Sequence, residues 1–485
     1  MVLPFFYCYL FVYTSFSFAT DSIILSQTDF SALGLRTALF ENLSSLGFTQ
    51  MTPVQAQSLP PILAGKDVIA QAKTGSGKTA AFGLGLLNKI DVGQRHLQGL
   101  VLCPTRELAD QVAKQIRRLA RSTPNVKVLT ICGGMPFGPQ IGSLKHGAHI
   151  IVGTPGRVED HLGKGNIQLA RLTTLVLDEA DRMLDMGFEE SLQAILEQMP
   201  SQRQTLMFSA TFPESIRLIS RQLMTWPVQV KVEESHDDAL IEQHFYRVDQ
   251  NADRLTALRL LLIKHRPTGA LVFCNTKRET EEVATELSAS GFSALALHGD
   301  LEQRDRDQTL VRFSNQSAAV LVATDVAARG LDIERLDLVV NYQIATDPEV
   351  HVHRIGRTGR AGNRGLACTL TVDRDSHRVD AVADYLQQQV EFESLPSDDL
   401  LDQSPATAPM VTIQIDGGKK RKLRPGDILG ALTGGEGIAG DDVGKISIFD
   451  SSAYVAVRHQ VAKSALKKLS EGELKGRKFR VRRLR

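Results

Sequence analysis

The chain has 485 residues, 42% hydrophobic and 23% charged, with a formal net charge of +1. This is the composition of a globular protein, not of a disordered or fibrous one, and the length predicts about three domains. Five cysteines (Cys8, Cys103, Cys132, Cys274, Cys368) with no CxxC pair exclude a disulfide framework and suit a reducing compartment, the cytoplasm. The near-neutral total hides an asymmetry. Residues 410–485 hold 17 Lys and Arg against 8 Asp and Glu, whereas residues 1–409 hold 39 against 47. A basic module on an acidic body reads as a footprint for nucleic acid or an anionic surface; a solvated charged face is the plainer alternative.

The first twenty residues, MVLPFFYCYLFVYTSFSFAT, carry no charge and eight aromatic side chains. Their length suits a signal peptide or a short membrane anchor, but no positive segment precedes the apolar run. The rest of the chain reads as a cytosolic nucleotide enzyme. We therefore expect no membrane association, treat residues 1–28 as an extension, and place the native start near residues 21–30. From about residue 65, apolar strand-like runs alternate with helical patterns: GKDVIAQ, GLVLCPT, HIIVGTP, TTLVLDEAD and QTLMFSAT, each closing on a polar turn. That rhythm predicts a parallel sheet with helices on both faces and functional groups at the strands' carboxyl ends. It pauses around KVEESHDDAL and resumes with GALVFCNT, SALALHGD, AVLVATD and LDLVVNY. LVLCPTRE (100–107) echoes LVFCNTKR (271–278), which suggests two domains of similar fold. The stretch 396–409, PSDDLLDQSPATAP, has the composition of a linker.

AKTGSGKT (72–79) follows a strand and opens a helical pattern. Ala72, Lys73, Thr74, Gly75, Ser76, Gly77, Lys78 and Thr79 fit a phosphate-binding loop. The glycines let backbone N–H groups reach phosphate oxygens, Lys78 reaches the outer phosphates, and the Thr79 hydroxyl ligates Mg²⁺. A plain glycine turn is the alternative; strand, turn, helix and the GKT triplet in register weigh against it. Asp178 ends another apolar strand and is placed to hold Mg²⁺, with Glu179 beside it to polarise the attacking water. In HRIGRTGR (353–360), Arg357 and Arg360 are candidate arginine fingers for the γ-phosphoryl group of ATP. His351 and His353 lack the further His or Cys partners that a metal site needs. With phosphate loop and arginines in different domains, ATP hydrolysis becomes a switch tied to domain closure.

Taken together, these motifs resemble those of the DEAD-box RNA helicases over residues 29–395. GFTQMTPVQ (47–55) is similar to the family's adenine-sensing motif, which implies that Phe48 stacks on the base and Gln55 bonds its edge. PTREL (104–108), GG (133–134) and TPGR (154–157) match the first-domain RNA contacts, and DEAD (178–181) and SAT (209–211) the hydrolysis and coupling motifs. LVFCNT, QRDR (303–306), ATDVAARGLD (323–332) and HRIGRTGR match the second-domain set. The resemblance implies tandem RecA-like domains, here 29–230 and 240–395, an RNA-dependent ATPase, and local strand separation driven by ATP and Mg²⁺. It places RNA contacts at Thr105, Arg106, Gly134, Thr154, Arg157, Gln303, Arg306, Thr324 and Gly330, and a nucleotide contact at Asp332. Asp181, Ser209, Thr211 and His353 couple nucleotide state to closure. A DNA-translocating helicase and an RNA chaperone with a vestigial ATPase are the alternatives; the adenine-sensing motif weighs against the first and the intact hydrolysis residues against the second.

Residues 410–485 read as strand (MVTIQI), helix (RPGDILGALTG), two strands (GKISIFD, AYVAVRH), helix (VAKSALKKLSEGEL) and strand (KFRVRRLR). That order resembles an RRM, yet only Tyr454 stands where stacking aromatics are expected. Basic loops and edges are then the RNA-binding groups: Lys419, Lys420, Arg421 and Lys422 first, with Arg424, Lys445, Arg458, Lys467, Lys468, Arg480 and Arg482 as further candidates. The layout IDGGKKRKLRPGDILGALTG resembles the C-terminal domain of DbpA-type bacterial helicases. This implies docking on a 23S rRNA hairpin and a role in large-subunit assembly. A general DEAD-box helicase or chaperone without rRNA specificity stays open, and a monomer is expected. Mass spectrometry of the native N-terminus checks the reading of the start: it should return no peptide from Val2–Thr20.

Overall fold

The computed structural model describes residues 28–72, 75–232, 241–328, 336–359, 364–435 and 437–484. It divides into two compact units, up to Glu233 and from Glu234 onward. In the first, seven described strands are β1 (Val68–Gln71), β2 (Gly99–Leu102), β3 (Val128–Ile131), β4 (Ile150–Gly153), β5 (Thr174–Asp178), β6 (Gln204–Ser209) and β7 (Val228–Lys231). They run parallel in the order β3-β4-β2-β5-β6-β1-β7. The central strands are buried throughout, as apolar runs covered by helices on both faces must be.

The second unit contains β8 (Ile241–Arg247), β9 (Ala270–Cys274), β10 (Ala294–Leu297), β11 (Val320–Thr324), β12 (Leu338–Asn341), β13 (Gly365–Thr371) and β14 (Phe392–Glu393). Their order, β10-β11-β9-β12-β13-β8-β14, repeats that of the first sheet strand for strand. The sequence echo falls at the same place in both. β2 leads to Thr105, whose Oγ1 accepts Leu108 N–H at 3.2 Å; β9 leads to Thr276, whose Oγ1 accepts Glu279 N–H at 3.2 Å. Each threonine caps the helix that follows its strand. Cys103 and Cys274 are fully buried just beyond and at the ends of these strands, acting as small core hydrophobes.

The same unit carries a small antiparallel sheet of β15 (Met410–Ile415), β16 (Val443–Ile448), β17 (Ala453–Arg458) and β18 (Val481–Arg483), in the order β16-β17-β15-β18. Helices Pro425–Thr433 and Ala462–Glu471 cover one face, giving the RRM-like order read from the sequence. The other face is buried as well. Thr412 Oγ1 accepts from Asn315 Nδ2 at 3.1 Å and lies 2.7 Å from Ser317 Oγ, while Met410 N–H donates to Gln316 O. Asn315 and Ser317 follow the helix Gln303–Ser314 of the second RecA-like domain. The stretch 396–409 has linker composition, yet it is packed. Asp398–Asp402 forms a 3-10 turn that lays Leu400 and Leu401 on the second domain's core.

No helix among the described residues is long and apolar enough to cross a membrane. His351 sits on helix Pro348–Ile355, fully buried, its ring stacked on Phe245 of β8 at 5.9 Å. Burial, and then the charge of Arg354, push its pKa down to about 4. Above the ordinary histidine pKa both folded and unfolded chains hold it neutral. As pH falls from about 6.5 towards 4 the unfolded chain takes up a proton and the folded chain does not, so stability falls by up to about 1.4 kcal/mol per pH unit. Denaturant unfolding between pH 7.5 and 5 should show this acid slope, and His351→Asn should reduce it by about one proton.

Candidate ATP and RNA sites

In the first unit, β5, β6 and β1 are neighbours, so their carboxyl ends bring three sequence-distant segments together. Ala72 N–H donates to Ser209 O at 3.0 Å, joining the phosphate loop to the SAT segment. Gly75 and Gly77 have φ of 87° and 96°, the left-handed region that a side chain disfavours. Gly77 is doubly constrained: a Cβ there would lie 2.5 Å from Gln55 Nε2. Helix Lys78–Lys89 starts at Gly77 with no side-chain cap, so its first N–H groups face the loop. Among the described residues the Ser76 hydroxyl is buried without a partner, a cost that a phosphate oxygen would offset. Lys78, nearly buried, donates from Nζ to Ala72 O at 2.8 Å.

Gln55 is buried at the foot of this loop. Its Oε1 accepts Thr52 N–H at 3.0 Å and its Nε2 donates to Gly77 O at 3.2 Å. Phe48 is half-buried, with Phe30 edge-on at 6.3 Å. The predicted adenine-sensing motif therefore touches the phosphate loop through Gln55. Lys73 and Thr74 lie outside the described residues.

Asp178 ends β5 fully buried. Burial raises its pKa to about 7, Lys78 opposes the shift, and Glu179 adds to it. Glu179 has φ 52°, ψ 54°, a left-handed conformation that a non-glycine residue rarely adopts. This backbone turns the acid pair at the strand's end. Asp181 Oδ2 accepts Thr211 N–H at 3.0 Å and Thr211 Oγ1–H at 2.7 Å, and the Ser209 hydroxyl lies 3.4 Å from Asp181 N. Burial alone would raise the Asp181 carboxyl, but the hydrogen bonds from Thr211 and Ser209 outweigh it and hold the pKa low. Three of the four predicted coupling residues thus form one cluster; the fourth, His353, belongs to the other unit.

The predicted RNA residues of the first unit occupy the other half of the same sheet edge. Thr105 follows β2, Gly134 follows β3, and Thr154 and Arg157 follow β4, three neighbouring strands. Gly133 N–H lies 3.4 Å from Thr154 Oγ1, and Gly134 has φ 71°. Arg106 lies 3.8 Å from Asp110, one turn along its own helix.

In the second unit, Thr324 ends β11 and Gln303 and Arg306 open helix Gln303–Ser314, with Arg306 donating to Ala327 O at 3.0 Å. Arg357 is nearly buried after helix Pro348–Ile355. Gly330, Asp332 and Arg360 lie outside the described residues. The sequence reading missed Arg354. Its guanidinium, 2% exposed, pairs with both carboxylate oxygens of Asp325 at 2.7 Å. It also donates to Asn275 Oδ1 and Gln343 O, each at 2.7 Å. One arginine so ties the ends of β11, β9 and β12 to the helix bearing His353. The available signal was polar residues directly after three apolar strands.

In the small sheet, Tyr454 is buried, its ring edge-on to Phe449 at 5.4 Å. With Thr412, Gln414 and Ala456 also buried, this face offers no stacking platform. Lys419, Lys420, Arg421 and Lys422 are all exposed on a fixed turn. Lys419 and Lys420 N–H donate to Phe449 O and Asp450 O at 2.8 and 2.9 Å, and Lys475 Nζ donates to Lys422 O at 2.8 Å. A Cβ on Gly418 would stand 2.2 Å from Phe449 O, which explains the glycine before the basic run. Three further candidates are engaged internally: Lys468 caps the helix ending at Thr433, Arg458 faces Asp442, and Arg482 bonds Gln414.

Family models match all three parts: DEAD/DEAH box helicase over residues 52–219, helicase conserved C-terminal domain over 253–362, and DbpA RNA binding domain over 412–483. The chain is 55% identical over 460 residues to the ATP-dependent RNA helicase DbpA of Escherichia coli K12, covering 95% of this chain and 100% of that protein. The chain belongs to the DEAD-box ATP-dependent RNA helicases, DbpA type. It is 46% identical to the helicase CshA of Bacillus cereus, over 72% of this chain and 66% of that one. Saccharomyces cerevisiae Dbp5 bound to RNA and ADP BeF3 has a similar structure, with a TM-score of 0.69 and 31% identity over 77% of this chain and 96% of that one. This DEAD-box chain is accordingly an RNA-dependent ATPase and helicase that uses ATP and binds RNA through helicase and RNA-binding domains.

Removing the Arg354 guanidinium takes charged hydrogen bonds from Asp325, whose side chain is 24% exposed, at a cost of about 1.5–3 kcal/mol. Arg354→Ala should lower the stability of the second unit by that order in urea unfolding and abolish RNA-stimulated ATPase.

Proposed function

We propose that this helicase remodels precursors of the large ribosomal subunit, with its small basic domain anchoring it to 23S rRNA. The observation that carries this reading is the turn Lys419–Lys422. It holds four exposed cations on a backbone clamped by Phe449, Asp450 and Lys475, in a domain whose sheet face is buried. A rigid basic turn of this kind suits a particular phosphate arrangement better than a flexible basic tail does. Binding one rRNA element raises the local concentration of the neighbouring duplex at the helicase core. This form of action needs no second copy, and we take the enzyme to be a cytoplasmic monomer.

In this reading the phosphate loop grips ATP through its backbone N–H groups and Lys78, while Phe48 and Gln55 select adenine. The residues present fit a divalent cation: Asp178 and Glu179 crowd negative charge beside Lys78 at the end of β5, with Thr79 on the facing helix. Mg²⁺ would be held by Thr79 and Asp178 and would neutralise phosphate charge. Glu179 orients the attacking water. Arg357 and Arg360 are the arginines read as stabilising the γ-phosphoryl group. Thr105, Arg106, Gly134, Thr154 and Arg157, with Gln303, Arg306, Thr324 and Gly330, hold one strand by its backbone, so sequence is not read in the core. The Asp181–Thr211–Ser209 cluster, with His353, passes the nucleotide state to those RNA contacts.

Steady-state ATPase at fixed salt tests the assignment, with a 23S rRNA fragment carrying the peptidyl-transferase-region hairpin compared with poly(A) and an equal-length DNA. The rRNA fragment should stimulate far more than poly(A), and DNA should not stimulate. A chain truncated after residue 404 should lose that preference while keeping some generic RNA response. Equal stimulation by every RNA would reduce the protein to a general DEAD-box helicase.

A further inference from the structure

We propose that Gln140 is a positioning residue that presents Arg157 and the Gly133–Gly134 turn to the RNA backbone. The inference rests on the reading of Arg157 and Gly134 as RNA contacts. Gln140 lies on helix Phe137–Leu144 and is only 7% exposed, so it does not itself reach RNA. Its amide makes three bonds. Nε2 donates to Cys132 O at 3.0 Å, the carbonyl just before the glycine pair. Oε1 accepts from Arg157 Nη1 at 3.0 Å and lies 2.9 Å from His161 Nε2. One side chain thus ties the glycine turn after β3 to the helix Pro155–Gly163 after β4.

The chemistry leaves one consistent arrangement. Arginine only donates and a main-chain carbonyl only accepts, so the amide oxygen faces Arg157 and its nitrogen faces Cys132. His161 must then donate from Nε2, which in the neutral ring leaves Nδ1 as a bare acceptor. Among the described residues Nδ1 is indeed buried without a partner. Burial, and then the charges of Arg157 and Lys164, hold the His161 pKa low; Asp160 opposes them. The neutral ring stacks on Phe137 at 4.0 Å and 4°, while Lys164 Nζ lies 4.1 Å from the Phe137 centroid. Phe137 and Gln140, one turn apart, so clamp their helix to the one bearing Arg157.

The guanidinium is correspondingly fixed. Nη1 also donates to Met135 O at 2.8 Å, and Nε lies 3.5 Å from Asp160. Among the described residues Nη2 has no partner, and the side chain is 16% exposed. Two nitrogens anchor the group and the third is left for a phosphate oxygen.

The test is RNA binding by the full-length protein with a non-hydrolysable ATP analogue, read as affinity for single-stranded RNA across a salt series. Gln140→Leu keeps the volume and breaks all three bonds. It should weaken binding about tenfold, as the loss of a charged hydrogen bond does. It should also flatten the slope of log affinity against log salt by about 0.7, one phosphate contact. Arg157→Ala should do the same, and the double variant should bind no worse than Arg157→Ala alone. A residue that merely supports folding would leave the salt slope unchanged. If Gln140→Leu no longer unfolds cooperatively on heating, Gln140→Asn, the same amide one carbon shorter, takes its place. An unchanged slope in the Gln140 variant, or additive losses in the double variant, overturns the proposal while Arg157 keeps its role. An unchanged slope in Arg157→Ala overturns the RNA-contact reading and the proposal with it.

Discussion

Parallel strands covered on both faces leave polar chemistry one place to go. The central strands of both large sheets are buried along their length, so charged and hydrogen-bonding side chains gather where the chain leaves a strand. In the first unit this edge is divided by strand order alone. The ends of β1, β5 and β6 hold the phosphate loop, the acid pair and the SAT segment, and the ends of β3, β4 and β2 hold the glycine turn, Arg157 and Thr105. The strands β2 and β5 are neighbours, so the groups proposed for nucleotide and for RNA share one continuous rim.

A rim made of loops has to be kept in shape, and the same device recurs. Gln55 bonds Gly77 O, Asp181 bonds Thr211, and Arg354 bonds Asp325, Asn275 and Gln343. Each is a buried polar side chain whose bonds run to a loop from a different strand or helix. Such groups are costly if left unsatisfied. The loops are therefore held to one arrangement, and a ligand that adds or removes a partner at one of them acts on its neighbours directly.

Much of this was legible in the sequence. The apolar runs marked the strands, GKT and DEAD marked the strand ends, and the echo at residues 100 and 271 marked two copies of one topology. Of the polar locks, Gln55 and Asp181 sat in recognisable motifs, but Arg354 and Gln140 were not legible. Arg354 looked like one more cation in an arginine-rich motif, because its partners at 275, 325 and 343 are brought near only by the strand order. Gln140 carried no local signal, since a helical glutamine is ordinarily a solvated one. The Pro- and Ser-rich stretch before residue 410 read as a linker from composition. Two leucines within it, Leu400 and Leu401, find a place on the second domain's core, and only tertiary structure supplies that place.

That packing changes what the last module can do mechanically. A free chain of this length would let its two ends wander over about 20 Å, and the attached domain would sample a broad cloud of orientations. Here the chain is laid along the second domain, and Thr412 is bonded to residues 315 and 317 of that domain. The basic turn thus behaves as the end of a lever and not of a leash. Its four exposed cations, Lys419–Lys422, therefore keep one orientation on the second RecA-like domain.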